Sequence, residues 1–438
     1  LAAVLDGEVR AVDGVEVRTR PTAADLAAVT APASGVPGIH VVAWSADGTV
    51  VVDHDVAGTA VSFGHESGAP EAVVRASLRA TVGGTGPREV GVIGAGQWSV
   101  TLAGERHSVD LSLSSGDVAE ALFTPPHWTT VVEADGEVEL EAEVLVPQAS
   151  LARFAVAARP APRPVRDVIE DAAAAAAEAD VAVVVVGLTE EQETEAADKT
   201  TLRLPGRQDD LVSAVAAAAR HTVVVINAAT PVLMPWFDDV DAVLLAGIPG
   251  QEGGHAVASA LLGTIEPAGR LVTSFPAADG ATPAWDVVPV DGQLRYAEGP
   301  FVGYRGHHAG RAPLPALWFG HGLGYGTWDY SDVTVSSGSD EPVTVTATVT
   351  NTSSRPSREV VQVYLEPADR SQPVRLVGWR GVHVEPRESA RVEVRCDERM
   401  WRRWDTRAGR WARLDGPATL LVARGLGDVR ARVDLPQP

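Results

Sequence analysis

The chain has 438 residues, a formal net charge of −22 and 45% hydrophobic residues, values that indicate a globular protein of about three domains. The negative surface repels phosphate backbones and excludes nucleic acid as a main partner, and no apolar run approaches the roughly 18 residues of a membrane span, so no membrane partner is expected. The single cysteine, Cys396, allows no intrachain disulfide. The cellular compartment of the protein stays open, with the cytoplasm slightly favoured over secretion.

The first part of the chain contains two kinds of pattern. Leu1–Arg20 is typical of the end of a helix followed by a strand, and because the sequence begins without methionine we expect a truncated or processed chain. From about Val36 to Val146, alternating segments such as WSVTLAGERHSVDLSL lie between Gly-rich and Asp-Gly turns and predict a β domain. The proline-rich segment Arg159–Val165 ends this domain.

The middle of the chain alternates between helical and strand patterns. The predicted elements are a helix over Arg166–Ala179, a strand over Val181–Val186, a helix over Gln208–Arg220, strands over Thr222–Ile226 and Ala242–Leu245, a helix after Gly254 and a strand over Arg270–Phe275. Continuous Val, Ile and Leu strands between helices predict a mostly parallel sheet covered on both faces. Leu1–Arg20 has the same character, so we expect it to join this sheet and the β domain to be an insertion.

The last part of the chain is again strand-like. After a Gly- and aromatic-rich connector over Tyr296–Tyr330, the segments VTVTATVTN, EVVQVYLE, SARVEVR and ATLLVAR are separated by turn residues, as in a β-sandwich of about 100 residues. Trp401 and Trp404 could form a platform for a sugar, but their alternation with arginines favours the edge of the sandwich core. His307 and His308 are interpreted as a surface pair without metal-ligand spacing.

An acidic loop follows the most apolar predicted strand. The segment GLTEEQETEAADK, residues 187–199, contains four glutamates and an aspartate directly after Val181–Val186. In an open α/β sheet, ligands bind at the carboxyl ends of the strands. The loop is therefore either a solvated acidic turn or part of a ligand site, and the pattern alone leaves both open.

Long, ordered segments resemble a known family. The run VVVVGLTEEQETEAADKTTLRLPGRQDDLVSAV, followed by VVVINAATPVLMPW, AGIPGQEGGHAVASALLGTIEPAGRLVTSFP and FGHGLGYGTWDYSDVTV, resembles the C-terminal α/β sandwich domain of family 3 glycoside hydrolases, which include many β-glucosidases. The final strands resemble that family's fibronectin type III-like domain. GIHVVAWSADG and REVGVIGAGQWSVTLAGERHSV resemble the protective-antigen-type sandwich that some members carry as an insertion.

The resemblance implies a fold of α/β plus all-β class. It consists of a mostly parallel-sheet α/β sandwich interrupted by a β-sandwich insertion and followed by a fibronectin type III-like β-sandwich. The implied division is residues 1–35 and 161–295 for the two parts of the α/β domain, 36–160 for the inserted domain, 296–330 for the connector and 331–438 for the last sandwich.

The resemblance also implies the chemistry of the acidic loop. The family's acid/base glutamate lies in a Glu-Gly-aromatic-Asp-Arg run, which matches residues 195–199 here, so Glu195 is the predicted proton donor and Glu193 the second candidate. Nearby carboxylates would help to raise the pKa that a donor needs. Ala196, Ala197 and Lys199 depart from the family pattern, and a lysine lacks the planar fork that holds a carboxylate bidentately.

The other half of the family's site is carried by a (β/α)₈ barrel, where an aspartate in a Ser-Asp-Trp motif is the nucleophile. In this chain Ser331-Asp332 is followed by Val333 and is no candidate. The implied function is therefore the C-terminal portion of a retaining, exo-acting β-glycosidase, β-glucosidase-like, that is inactive alone and needs the barrel in cis or in trans.

The expected partners are a β-glucoside or oligosaccharide substrate and that barrel, with no cofactor and no metal. β-Xylosidase and N-acetylglucosaminidase activities stay open, because the barrel sets most of the sugar specificity. The alternative function is a non-catalytic carbohydrate-binding or accessory module built from the same domains.

Overall fold

A computed structural model describes residues 7–64, 73–113, 124–146, 151–194, 198–285, 288–336, 342–414 and 416–435. Residues 7–20 contain no helix or strand, so the predicted strand is absent from the described part of Leu1–Arg20. Val15 is nevertheless buried with Leu211 and Val212 in the core of the α/β region. The segment thus packs against that region through side chains rather than through strand pairing.

The first sandwich contains eleven strands in the described residues. They are β1 (Val29–Thr30), β2 (Ile39–Ser45), β3 (Val50–Val56), β4 (Ala60–Gly64), β5 (Val73–Val82), β6 (Pro87–Ile93), β7 (Gly96–Leu102), β8 (Glu105–Leu111), β9 (His127–Glu133), β10 (Val138–Leu145) and β11 (Leu151–Pro160). One sheet has the order β3-β2-β5-β10-β7-β8, with β1 beside β5, and the other has the order β4-β11-β6-β9. Alternate residues such as Val41, Leu78 and Leu140 are buried in the core, as expected for strands with one solvent face.

The α/β region follows without a break. Its elements are α1 (Val165–Ala177), β12 (Ala182–Gly187), α2 (Gln208–Ala218), β13 (Thr222–Asn227), β14 (Ala242–Leu245) and α3 (Gly253–Leu261). The three strands pair in parallel in the order β12-β13-β14. Residues of one face, including Val184 and Ile226, are buried in one core with Val168 of α1 and Leu211 of α2.

The opposite face of this sheet is partly uncovered. Val183 and Val185 lie on that face of β12 and are 39% and 59% exposed. The prediction that the sheet is covered on both faces is therefore wrong for β12 within the described residues. Burial of apolar strand faces drives sheet packing, so this face is a surface that another element could cover.

The predicted strand over Arg270–Phe275 does not join the parallel sheet. Leu271 N donates to His321 O at 2.8 Å, and Phe275 N donates to Leu317 O at 2.8 Å. The segment therefore pairs with residues 317–321 of the connector, which satisfies its backbone groups. The strand predicted from RLVTSF is therefore absent: the segment contains only an isolated bridge between Phe275 and Leu317.

The last sandwich follows the short helix α4 (Tyr304–His308). Its strands are β15 (Trp328–Ser336), β16 (Thr344–Asn351), β17 (Ser357–Pro367), β18 (Arg375–Val384), β19 (Ser389–Arg395), β20 (Arg402–Asp405), β21 (Arg410–Arg413), β22 (Ala418–Gly425) and β23 (Asp428–Leu435). The sheets β15-β16-β19 and β18-β17-β22-β23 enclose a core that contains Val349, Val363 and Leu420. β20 and β21 form a separate hairpin.

Two sequence interpretations of this region need correction. His307 is buried, with Nδ1 2.6 Å from the carbonyl oxygen of Pro313, and His308 Nε2 lies 2.7 Å from Glu366 Oε1. They are thus not a surface pair: His307 is buried against Pro313 and Trp318 of the connector, and His308 pairs with Glu366 of β17. Trp401 packs against the sandwich core as predicted, but Trp404 is exposed on the hairpin, so that half of the prediction is wrong.

Two glutamates fasten the last sandwich to the α/β region. Glu359 of β17 is fully buried and accepts hydrogen bonds from Arg270 Nη2 at 2.9 Å and Arg424 Nε at 2.8 Å. Glu266 Oε2 accepts from Arg358 N at 2.7 Å, and its Oε1 accepts from Tyr325 N at 2.8 Å. A buried charge needs such partners, so these contacts fix the two regions against each other. None of the described helices has the length and apolarity to cross a membrane.

Candidate active site

The acidic loop begins where β12 ends. Leu188 N donates to Asn227 O at 2.9 Å, and a Cβ at Gly187 would collide with that carbonyl group, so the close approach of β12 and β13 requires glycine here. Gln208, buried at the start of α2, accepts from Gly187 N at 2.8 Å and donates to Gly187 O at 3.0 Å. The start of the loop is therefore fixed by Gln208 and by Asn227 of β13.

Glu191 ties the loop to the segment that leads into the first sandwich. Its Oε2 accepts hydrogen bonds from Thr19 N at 3.0 Å and Thr19 Oγ1 at 2.7 Å, and its Oε1 accepts from Arg20 N at 2.8 Å. Burial alone would raise the pKa of Glu191, but these hydrogen bonds outweigh it and lower the pKa below its ordinary value. Glu191 thus serves as an ionised acceptor that fixes the loop.

The same connection continues into the first sandwich. Glu190 pairs with Arg18, and Glu16 lies 3.3 Å from Arg159 Nη1 at the end of β11. Arg159 Nε in turn donates to Glu89 of β6 at 2.6 Å. A continuous set of ion pairs and hydrogen bonds therefore runs from the acidic loop to the sheet of the first sandwich.

Glu193 anchors the loop on the opposite side. Its Oε1 accepts from Ala229 N at 2.8 Å, Thr230 N at 3.1 Å and Thr230 Oγ1 at 3.0 Å, all in the turn after β13. Lys199 Nζ lies 3.7 Å from the same oxygen and bonds Thr230 Oγ1. Glu193, the second sequence candidate for the proton donor, is fully engaged as an anchor of the turn after β13.

Lys199 does not hold Asp198. Its ammonium group pairs with Glu193, and Asp198 is exposed. Burial lowers the pKa of Lys199 below its ordinary value, an effect that the charge of Glu193 opposes. The departure from the family's arginine is therefore accommodated by a different partner, which a compact ammonium group can reach.

Glu195, the predicted proton donor, lies outside the described residues together with Ala196 and Ala197. Its flanks are described on both sides. Glu193 before it and Lys199 after it form an ion pair, with Lys199 Nζ 3.7 Å from Glu193 Oε1.

A cleft of about 240 Å³ lies beside this loop. Its lining includes Leu188, Glu191, Pro231 and residues 198–205. Asp279 fixes part of this lining by accepting from Thr201 Oγ1 and from Leu202 N, each at 2.7 Å. Among the residues described, no group of three His, Cys, Asp or Glu side chains could hold a metal ion.

Sequence reasoning missed the anchoring residues. Glu191 and Gln208 were visible as polar residues within the motif-bearing run, but their partners lie elsewhere: Glu191 binds residues 171 and 172 positions earlier in the chain. The number of acidic residues directly after an apolar strand could have suggested these anchors. One reaction uses only a few carboxylates, so the others must have a structural role.

Comparison with known proteins places this geometry in a family. Residues 39–304 match the glycosyl hydrolase family 3 C-terminal domain, and residues 359–425 match the fibronectin type III-like domain. The chain is 36% identical to a β-glucosidase B of Emericella nidulans over 287 residues, which cover 62% of this chain and 34% of that protein. It is 37% identical to a β-glucosidase of Rhizobium radiobacter over 265 residues, 58% of this chain and 32% of that protein.

Solved structures show the same relationship. A β-glucosidase from Kluyveromyces marxianus superposes with a TM-score of 0.82 and 25% identity over 97% of this chain and 53% of that chain. DesR, a β-glucosidase from Streptomyces venezuelae in complex with D-glucose, gives a TM-score of 0.62 and 30% identity over 82% of this chain and 46% of that one. The chain spans about a third of the length of the curated relatives it matches. Because the family 3 match covers more than half of its residues, the chain belongs to glycosyl hydrolase family 3.

Proposed function

We propose that the chain is the C-terminal portion of a retaining, exo-acting β-glycosidase that removes terminal β-linked glucosyl residues. The observation that supports this most is the acidic loop at the carboxyl ends of β12 and β13, beside an open cleft. Glu190, Glu191 and Glu193 are bound by partners that fix the loop. Because residues 195–199 resemble the family's Glu-Gly-aromatic-Asp-Arg run, we assign Glu195 the role of general acid and base.

The proposed reaction has two steps. A carboxylate on a (β/α)₈ barrel attacks the anomeric carbon while Glu195 protonates the oxygen of the leaving aglycone, the two carboxyl groups lying about 5 Å apart. Glu195, now a carboxylate, then removes a proton from the water that attacks the glycosyl-enzyme. The anchors on both sides of the loop serve this role, because an error of about 1 Å in position costs a large factor in rate.

The barrel is a proposed partner in the same or a separate polypeptide. The uncovered face of β12, with Val183 and Val185 exposed, supports a further structural element against the α/β region, since apolar strand faces are normally covered. The β-glucosidases matched by the chain are about three times the length of the matched segment. This ratio supports a catalytic unit larger than the 438 residues.

The proposed domain division follows the same reasoning. Val15 is buried in the α/β core, which supports assigning the part of residues 1–35 around Val15 to the α/β domain together with 161–295, whereas Ala24 and Val29 of the same segment pack in the core of the first sandwich. Residues 36–160 would then be an insertion of the protective-antigen type, 296–330 the connector and 331–438 the fibronectin type III-like domain. Limited proteolysis tests the division: release of residues 1–20 together with the first sandwich, rather than their retention on the α/β fragment, would contradict it.

The first prediction is that the 438-residue chain alone does not hydrolyse an aryl β-glucoside, because the nucleophile lies on the barrel. The barrel of a matched relative, added in trans or fused before Leu1, should restore turnover. Aryl β-xylosides and N-acetyl-β-glucosaminides assayed in parallel identify the sugar. Turnover by the chain alone near the typical enzyme value of about 10 per second would contradict the proposal.

The second prediction concerns Glu195 in the barrel-containing protein. Glu195→Gln should reduce turnover most for alkyl and sugar aglycones, which need protonation to leave, and least for aryl aglycones that leave as stabilised anions. Azide should rescue this variant, because it attacks the glycosyl-enzyme without a base. Glu193→Gln is the matched control and should show a milder loss without azide rescue. Rescue of Glu193→Gln instead of Glu195→Gln would shift the assignment by two residues.

A further inference from the structure

The hairpin β20–β21 in the last sandwich presents an unusual outward face. Trp404 pairs directly with Trp411 across the two strands, and Arg402 pairs directly with Arg413. Alternate residues of a strand share a face, so these four side chains lie together. Trp404 and Trp411 are 51% and 62% exposed, with ring centroids 5.7 Å apart and an interplanar angle of 76°. The two rings thus form an open aromatic corner on the surface.

The charge around this corner is on balance positive. Residues 397–415 contain six arginines and four acids, in a chain with a net charge of −22, and Arg399 is paired with Asp397 2.7 Å away. Within the described residues, neither Arg402 nor Arg413 forms an ion pair with a carboxylate, and both are exposed. Like charges directly opposite each other in a hairpin are destabilising. An arrangement that costs stability without an internal partner points to an external anion.

The hairpin is held rigidly at its base. Arg375, mostly buried, donates through Nη1 to Met400 O at 2.7 Å and to Arg402 O at 2.8 Å. Leu414 N donates to Trp401 O at 2.7 Å, and Trp401 packs against the sandwich core. Because the backbone of the hairpin is fixed, less backbone entropy is lost when a ligand binds.

We propose that this face binds a glycan containing uronic acid residues. The carboxylate would lie between Arg402 and Arg413, whose guanidinium groups bind carboxylates bidentately. The apolar face of a pyranose ring would pack on Trp404 or Trp411, each of which supplies a large flat surface. The site is remote in sequence from the acidic loop and would retain the protein on an acidic polysaccharide.

A glycan fits this surface better than other anions. Nucleic acids and anionic membranes present dense negative charge, which the remaining surface of a chain with a net charge of −22 repels. A polysaccharide with one carboxylate per sugar has a lower charge density and offers apolar ring faces between the charges. The T-shaped geometry of the two tryptophans leaves no parallel gap into which a base could intercalate.

The test measures binding of a defined oligogalacturonide to the 438-residue chain by calorimetry, which needs no catalysis and is thus independent of the proposed function. We expect the neutral, carboxyl-reduced oligomer to bind at least about tenfold more weakly, since it lacks the charge-assisted contacts. Added salt should weaken binding of the acidic oligomer. Equal binding of both oligomers, or no binding of either, would overturn the proposal.

Paired variants locate the site. R402Q/R413Q and W404A/W411A should each weaken binding of the acidic oligomer at least about tenfold, and the arginine pair should also remove its salt dependence. The control is Trp379→Ala, an equally exposed tryptophan on β18 opposite Gln362. Unchanged binding by the arginine variant would contradict the assignment even if the tryptophan variant does not fold. Tighter binding to single-stranded DNA, to phosphatidylserine vesicles or to a second copy of the chain would contradict the glycan as the ligand of this face.

Discussion

Carboxylates fasten two regions of this molecule, in different surroundings. Between the α/β region and the last sandwich, Glu359 is fully buried between Arg270 and Arg424, whose side chains are about one-tenth exposed. Beside the cleft, Glu191 is only partly buried and binds backbone and hydroxyl donors of Thr19 and Arg20. The first arrangement is an ion-pair group with little access to water, and the second is a set of hydrogen bonds at the surface.

The difference shows which contacts stabilise the fold and which contacts position the candidate site. A buried carboxylate cannot be removed without leaving its two arginines unpaired in a medium of low dielectric constant. A surface carboxylate can be replaced by water at smaller cost. We therefore expect changes at Glu359 to affect folding and changes at Glu191 to affect the position of the acidic loop.

The largest expected effect comes from Glu359→Gln. The substitution keeps the shape but leaves Arg270 and Arg424 without a counter-charge, so unfolding free energy should fall by about 3–5 kcal/mol. Urea denaturation of the 438-residue chain measures it. Glu141→Gln is the control, since Glu141 pairs with Arg79 2.8 Å away at an exposed position and should change stability by at most about 1 kcal/mol. Similar losses in the two variants would mean that burial does not distinguish the two kinds of contact.

A smaller effect is expected from Glu191→Ala. It removes three hydrogen bonds to an ionised carboxylate and should lower unfolding free energy by about 1–3 kcal/mol. In the proposed barrel-containing protein, it should reduce kcat more than it raises KM, because the proposed acid, Glu195, would be mispositioned while the sugar contacts proposed for the barrel remain. Glu190→Ala, which breaks only an exposed pair with Arg18, is the control. An effect on KM alone would show that Glu191 binds substrate rather than positioning the loop.

The same contrast explains what the sequence could predict. The apolar run of β12 and the alternating strands of both sandwiches follow from local periodicity, and the structure contains them. The Glu191–Thr19 contact spans 172 positions, and no local pattern encodes such a pair. The strand predicted over Arg270–Phe275 is absent for the same reason: its apolar pattern is local, but its contacts with residues 317–321 are set by the tertiary fold.

The candidate site divides in the same way. Resemblance located the loop and named Glu195 and Glu193, because motif residues are contiguous in sequence. It could not show that Glu193 is engaged by Ala229 and Thr230, since these donors belong to the turn after another strand. Alternation with arginines shows which residues share a face of a strand, but not whether that face is buried. The prediction placed Trp404 at the core, whereas Trp404 and Trp411 of the hairpin face outward.

The smallest expected effect concerns His321, which contributes to the pH dependence of the unfolding free energy. Burial, reinforced by the charges of Arg270 and Arg424 and opposed by Asp428, lowers the pKa of His321 below its ordinary value of 6.5. As pH falls below about 6.5, the unfolded chain binds a proton at this position while the folded chain resists it, so this contribution to stability is lost with falling pH.

His321→Gln cannot titrate and should therefore flatten the slope of unfolding free energy against pH between about pH 6.5 and the lowered pKa. Chemical denaturation at a series of pH values measures both slopes, and the two proteins should run parallel above about pH 7.5, where His321 is neutral in both states. His321 also reports on the buried ion pairs of Glu359. The positive charges of Arg270 and Arg424 disfavour the protonated imidazole, and Glu359 partly neutralises these charges. In the Glu359→Gln background the parent histidine should resist protonation more strongly, so its contribution to the slope should extend to lower pH. Identical slopes for the parent and His321→Gln would show that His321 is reached by water in the folded chain and does not sense the two arginines.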